Sequence, residues 1–287
     1  MPAIVVIGDA ILDVHVRPAM PMEMGADVPA AIRLSPGGQG ANLAVRLARQ
    51  GLDVTLACAL ADDAAGDILR TALDADGVTR SEAVAEVSGV VVVLGGDGGE
   101  RSMLSDRAPL GLRANLAIGL DAWLVVSGYT LLQEDGPPLA QPLTVHPGRR
   151  ILVGCAVPDH LIDRWRAGLA IVRPDLVVAN RAEADRLLPG LDLPGLAITD
   201  ATGAEARIGA VRARADVPAG PAAVDTTGAG DGFAAGLLAG LAGAPWPPTE
   251  PVLRDAVARG VALATAVARQ PGAQARVPGE SASILRR

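Results

Sequence analysis

Asp225-Thr-Thr-Gly-Ala-Gly-Asp231 runs straight into Gly232-Phe-Ala-Ala-Gly-Leu-Leu-Ala-Gly-Leu241, so two acids bracket a glycine-rich turn and the second stands at the mouth of an apolar helix. Phe233, Leu237 and Leu241 recur every four residues beside Leu238, which gives the helix a face fit for burial. A small-residue turn at a helix N-terminus presents unpaired N–H groups and the positive end of the helix dipole, which suits a phosphate. A carboxylate in that place is a poor anion ligand. It makes sense as a base toward a hydroxyl that attacks the phosphate. Taken alone, the motif reads more often as an Asp cap on a core helix.

The sequence on either side gives the helix its setting. Ala3–Asp9 reads as a buried strand breaking into a loop, and further strands are expected at Asp53–Leu60, Ala122–Ser127, Arg150–Gly154, Asp175–Ala179 and Leu196–Thr199. Helices are expected over Gly37–Gly51, Ala64–Asp76, Gly230–Ala242 and Val252–Gln270. Apolar strands alternating with helices predict an α/β fold, with a mostly parallel sheet covered on both faces. Two segments break the rhythm: Val14–Ser35, with Pro18, Pro21 and Pro29, and Val84–Met103, where Gly95-Gly-Asp-Gly-Gly99 marks a hairpin. They predict a small β appendage, a lid over residues 14–35 and 84–107, inserted in one domain that spans residues 1–287.

Composition narrows the chemistry. The chain has 287 residues, half of them hydrophobic, enough for one large core. No apolar run is long enough to span a membrane, and Met1–Gly8 reads as too short for a signal peptide. Cys58 and Cys155 are isolated thiols without metal-ligand spacing, in keeping with a reducing cytoplasm. All 25 basic residues are arginine, which rules out any mechanism that needs a phosphate-binding or Schiff-base lysine. A net charge of −7 and five aromatic residues argue against a nucleic-acid surface. His15, His146 and His160 are scattered, so catalysis is left to carboxylates, backbone amides and arginine.

A second glycine motif, Gly37-Gly-Gln-Gly-Ala-Asn42, opens the first helix. As a dinucleotide fingerprint it fails, because Ser35-Pro36 precedes it instead of a buried strand and Leu43 takes the place of the third glycine. Asn42 is a polar amide in an otherwise apolar helix, readable as capping or as a partner for a ligand hydroxyl. Asn180 and Glu183 stand three apart at a helix start after the Asp175–Ala179 strand, a spacing that by itself is ordinary capping chemistry.

With Gly37–Asn42 early, Asn180-Arg-Ala-Glu183 in the middle, Asp225–Asp231 late and Pro271-Gly-Ala-Gln274 near the end, the chain resembles the ribokinase-like (PfkB) family of carbohydrate and nucleoside kinases. The resemblance implies a three-layer α/β/α fold with a mostly parallel central sheet and a small β lid. It also implies ATP-dependent transfer of the γ-phosphate to a hydroxymethyl group of a small carbohydrate. Asp231 is then the general base, with an anion hole from the backbone of Gly228, Ala229 and Gly230. Asp13, Gly38, Gln39 and Asn42 are the expected acceptor ligands, and Asp9 is a less definite one. Asn180, Glu183, Thr199, Thr226, Gly228 and Gly230 are expected to hold the nucleotide, with Mg²⁺ reached from Glu183 through water. Arg101 and Arg107, in the lid return, read either as ligands of an anionic group or as solvated surface arginines.

Departures from the family pattern carry expectations of their own. Thr199-Asp-Ala-Thr-Gly203 has Ala201 where many relatives have glycine, which leaves nucleotide preference open. Relatives that use K⁺ bind it with groups matching Asp225, Thr227 and Gly272; here Arg276 stands where a Ser often follows, and K⁺ independence is expected. A nucleoside kinase is the alternative within the family, although so few aromatics leave little to stack a base. A non-catalytic sensor of a sugar or nucleotide is the alternative outside catalysis, and a nicotinamide dehydrogenase is the remote one. Exposed strand edges on a lid favour pairing with a second copy, so a homodimer is expected.

Overall fold

The structure, a computed structural model, describes residues 1–95, 101–108, 119–133, 146–278 and 280. The first strand, β1 (Ile4–Ile7), is apolar and buried at every position, as a strand covered on both faces must be. It is flanked by β4 (Val54–Leu60) and β8 (Trp123–Ser127), both parallel to it. Beyond β8 follow β9 (Arg150–Val153), β10 (Leu176–Asn180) and β11 (Gly195–Asp200), again all parallel. The sheet closes with β5 (Thr79–Val84) at one edge, and with β12 (Gly203–Ile208) and β13 (Val211–Asp216) at the other, in the order β13-β12-β11-β10-β9-β8-β1-β4-β5. Strand β12 runs antiparallel to both of its neighbours.

Alternate residues of β1 feed two cores. Ile4 and Val6 face α1 (Gln39–Arg49), α2 (Ala64–Ala75), α5 (Ala229–Leu241) and α6 (Glu250–Ala268). Val5 and Ile7 face α3 (Ile162–Val172) and α4 (Arg181–Leu187), with Trp165 fully buried among them. This is the expected three-layer arrangement. Helix α5 is buried on more than the Phe233–Leu237–Leu241 face, because Gly236 and Gly240 lie against the backbone of α6 at Gly260 and Ala256. That second face is invisible to a search for apolar periodicity.

A separate four-stranded sheet, ordered β3-β2-β6-β7, is built from β2 (Ile11–Pro18), β3 (Ala30–Gly37), β6 (Gly89–Gly95) and β7 (Arg101–Asp106). It corresponds to the expected appendage with shifted limits. Strand β2 starts within four residues of the end of β1, and β3 runs on into Gly37. Val84 belongs to β5 of the main sheet instead; the Thr-Arg-Ser-Glu-Ala-Val sequence of that edge strand has no apolar run to announce it. The expected hairpin is β6 paired antiparallel with β7, and residues 96–99 of its turn lie outside the described residues. No helix among the described residues is long and apolar enough to cross a membrane.

The segment after α6 is held against α1 by charge. Arg46 is fully buried and donates to Glu280 Oε1 at 2.6 Å and to the Ala273 carbonyl at 2.6 Å. One turn on, Arg49 makes a bidentate pair with Asp76 and donates to the Gln274 carbonyl at 2.8 Å. Removing one partner from a buried ion pair strands the other in low dielectric. Arg46→Ala is therefore expected to cost about 3–5 kcal/mol in equilibrium urea unfolding. The double replacement Arg46→Met/Glu280→Leu should recover most of that loss.

Candidate active site

The carboxyl ends of β8, β9, β10 and β11, with the segment after β1, open into one cavity of about 310 Å³. Strand order reverses between β1 and β8, the place where open α/β sheets receive ligands. The second sheet supplies Ile11, Asp13, Val91 and Met103 to one wall, and α5 brings Gly230 and Asp231 to another.

Helix α1 is fastened to the sheet at its first turn. Asp9 accepts Gly40 N–H on its carboxylate at 3.1 Å and Ala41 N–H on its carbonyl at 2.9 Å, so the loop after β1 caps the helix. The two backbones touch: a Cβ on Gly40 would lie 2.5 Å from the Gly8 carbonyl carbon. Gly40 thus serves close approach, which is why the motif looks like a nucleotide loop without being one. Gln39 lines the cavity with both ends of its amide committed. Its NH₂ donates to the Gly154 carbonyl at 2.7 Å, and its oxygen accepts from Ser127 Oγ at 2.6 Å and Gly128 N–H at 3.0 Å. It ties α1 to the ends of β8 and β9 while lining the cavity where an acceptor contact is expected of it.

Asp231 is buried, and the loss of water pushes its carboxyl up to about 7; nearby Asp9 and Glu183 add to the shift, while Asn42 and Arg46 oppose it. Its hydrogen bond comes from Asn42 Nδ2 at 3.1 Å. Asn42 Oδ1 in turn accepts from Gln274 Nε2 at 3.0 Å. Asn42, expected to meet an acceptor hydroxyl, lines the cavity with both ends of its amide engaged by protein. Gly38 lines the same cavity at the N-cap of α1.

Asp13 stands on the wall from the second sheet, in contact range of Gly37, and burial raises its carboxyl to about 6 against the pull of Arg107. No described residue donates a hydrogen bond to it. Arg107 is half-buried: it pairs with Asp9 and stacks over the Tyr129 ring at 3.9 Å from the centroid. The Arg101 side chain lies outside the described residues.

Gly228 sits at φ 76° at the N-cap of α5. Of the three expected anion-hole amides, that of Ala229 donates to the Thr226 carbonyl at 3.2 Å, whereas Gly228 and Gly230 line the cavity. Thr226 itself is exposed and outside the cavity lining. Asp225, Thr227 and Gly272 come together as expected. Asp225 Oδ1 accepts Thr227 N–H at 2.9 Å and Oγ1 at 2.6 Å, and Oδ2 accepts Gly272 N–H at 3.0 Å. Arg276 donates to Asp76 at 2.9 Å, on the flank shared with Arg49.

Asn180 and Glu183 form a capping box, each side chain bonded to the other's N–H at 2.8 and 3.0 Å. Both also line the cavity, and burial raises the Glu183 carboxyl. Among the described residues no three His, Cys, Asp or Glu side chains converge on a metal position. Thr199 and Gly230 border a second cavity of about 120 Å³ whose walls include Val217, Phe233, Val261 and Ala264. In the departing Thr199–Gly203 loop, Asp200 accepts from Thr202 and Gly203 and closes a tight β11–β12 hairpin.

Residues 1–207 and 211–279 match the family described as pfkB family carbohydrate kinase. The chain belongs to that family. Its members are phosphotransferases that act on hydroxyl groups, and so is this pfkB-family kinase. No curated protein matches it. Similar folds include adenosine kinase from Sinorhizobium meliloti, at TM-score 0.74 and 22% identity, covering 96% of either chain. Aminoimidazole riboside kinase from Salmonella enterica, solved with aminoimidazole riboside and an ATP analog, has TM-score 0.73 at 22% identity over 95% of either chain. Ribokinase from Thermotoga maritima has TM-score 0.72 at 17% identity, over 97% of this chain and 96% of that one.

Sequence reasoning passed over Arg46 and gave Gln274 no role. Their partners lie more than two hundred residues away, so neither the ion pair of Arg46 nor the contact of Gln274, although it ends a quoted motif, shows in local spacing. A side chain at position 228 must take a left-handed conformation, and its Cβ would fall 2.8 Å from Ala273 Cβ. Gly228→Ala is expected to cost more than the roughly 1–2 kcal/mol of left-handed strain alone. Urea unfolding of the variant checks it.

Proposed function

We propose that the protein uses ATP and Mg²⁺ to phosphorylate a hydroxymethyl group of a small carbohydrate, with Asp231 as general base. The buried Asp231 carboxyl, beside the open amides of α5 and across the cavity from Asp13, carries this reading. A base titrating near working pH is ionised often enough to act and basic enough to draw a proton. In the step, the acceptor O–H gives its proton to Asp231 and its oxygen bonds to the γ-phosphorus. The bond to the β–γ bridging oxygen breaks and ADP leaves. The N–H groups of Gly228 and Gly230 would meet the negative charge on the transferring oxygens.

The slot lined by Val217, Phe233, Val261 and Ala264 offers apolar walls to a nucleobase, with Thr199 at its border. Glu183 lines the cavity with Oε2 held by Asn180 N–H, and its carboxylate would take a water of Mg²⁺. The ion would neutralise phosphate charge during transfer. Asp13 is the acceptor contact we favour, since its carboxylate accepts no hydrogen bond from the described residues and a sugar diol supplies donors. Tyr129 is the one aromatic residue lining the cavity, and Arg107 already covers its ring, which favours a sugar over a nucleoside. The Asp225 carboxylate is met by three donors from Thr227 and Gly272, which favours K⁺ independence. Ile32, Leu34 and Leu104 are exposed on the edge strands of the second sheet, which we propose to cover the site and to pair in a homodimer.

The test is ADP release with Mg²⁺ and ATP across sugars, sugar acids, sugar phosphates and nucleosides. One sugar should turn over. With that acceptor, kcat/KM is expected to climb about tenfold per pH unit below a midpoint near 7 and then level, because the base works ionised. Asp231→Asn should lose roughly 10²–10⁴-fold and the rising limb with it. Silence across the panel with ATP binding intact would instead favour a sensor.

A further inference from the structure

We propose that Gln274 is a positioning residue for the base: by donating to Asn42 Oδ1 it pins the Asn42 amide with its NH₂ against Asp231. The inference rests on Asp231 acting as the base. An amide has a donor end and an acceptor end on one rigid plane, so occupying the oxygen decides which way the nitrogen points. Gln274 Nε2 lies 3.0 Å from Asn42 Oδ1, and Asn42 Nδ2 lies 3.1 Å from Asp231 Oδ2. Were the Asn42 amide to turn over, its oxygen would face the carboxylate and oppose ionisation.

Gln274 is itself held in place. Three consecutive residues are fixed: Gly272 N–H on Asp225 Oδ2 at 3.0 Å, the Ala273 carbonyl on Arg46 at 2.6 Å, and the Gln274 carbonyl on Arg49 at 2.8 Å. Asn42, Arg46 and Arg49 follow one another at i, i+4 and i+7, so a single stripe of α1 carries both the amide and the arginines that seat its partner. The other titratable or charged groups that interact with Asp231 include Asp9 after β1, Arg46 on α1, Glu183 on α4 and Tyr129 after β8. None of them is hydrogen-bonded to its carboxylate. Asn42 supplies that bond, and Gln274 decides which end of Asn42 is offered.

The experiment is a ¹³C NMR titration of aspartate carboxyls in the full chain, with the Asp231 signal identified by its absence in Asp231→Asn. In Gln274→Leu the Asp231 midpoint should rise by about one pH unit, a tenfold change in proton affinity. Asn42→Leu should give a rise at least as large, and adding Gln274→Leu to it should give no further change, as expected of two residues acting through one contact. Below the wild-type midpoint the Gln274→Leu enzyme should lose about tenfold in kcat/KM, and the loss should vanish at alkaline pH. Gln274→Met, similar in length and without a donor, repeats the measurement should the leucine variant not fold. An unchanged Asp231 midpoint in a folded variant, or a shift that adds to that of Asn42→Leu, would overturn the proposal. If the NMR midpoint moves as expected while the pH–rate limb stays put, the reading of Asp231 as base falls and the hold of Gln274 on its carboxylate stands.

Discussion

Burying the Asp231 carboxylate is the constraint to which the rest of the site answers. A carboxylate removed from water resists ionising, and unaided it would stay protonated at neutral pH. Here the opposing influences are a single hydrogen bond from Asn42 and the more distant charge of Arg46. They leave the group titrating about 7, between the extremes of a surface acid and an isolated buried one. That intermediate value suits the role of base proposed for it.

The first helix organises this balance. Its opening turn is locked to the loop after β1 by Asp9 and to the ends of β8 and β9 by Gln39. Its middle carries Asn42 to the carboxylate, and its last turns bury Arg46 and seat Arg49 against the closing segment. The closing segment packs Ala273 onto Gly228 and so touches the glycine turn before α5. A helix far from the late glycine motif in sequence therefore shapes its electrostatics. Gln39 and Asn42, expected as ligands of an acceptor, also hold the scaffold, each with a bond at either end of its amide.

Much of the architecture was legible because burial on both faces leaves a mark in the sequence. The strands β1, β4, β8, β9, β10 and β11 are continuous apolar runs, and their limits fall within a residue or two of those expected. Strands β5, β12 and β13 were not, since polar residues recur along each of them and no apolar run announces them. In β12, buried Ala204, Ala206 and Ile208 alternate with Glu205 and Arg207, a pattern of period two that was present but weak. The capping box of Asn180 and Glu183 was legible from spacing alone, because capping is a local interaction.

What the sequence determined by itself is the set of contacts that lie close along the chain. These are the layered fold, the glycine turn before α5, the acid at its mouth and the cap at Asn180. What the tertiary structure decided is which side chains meet across two hundred residues. Asn42 meets Asp231 at the cavity wall, Gln274 donates to its oxygen, and Arg107 lies on Tyr129 beside Asp9. The physical reason is that a titration midpoint depends on dielectric and on the donor facing the oxygen. Both are set by packing in three dimensions, where sequence spacing carries no information.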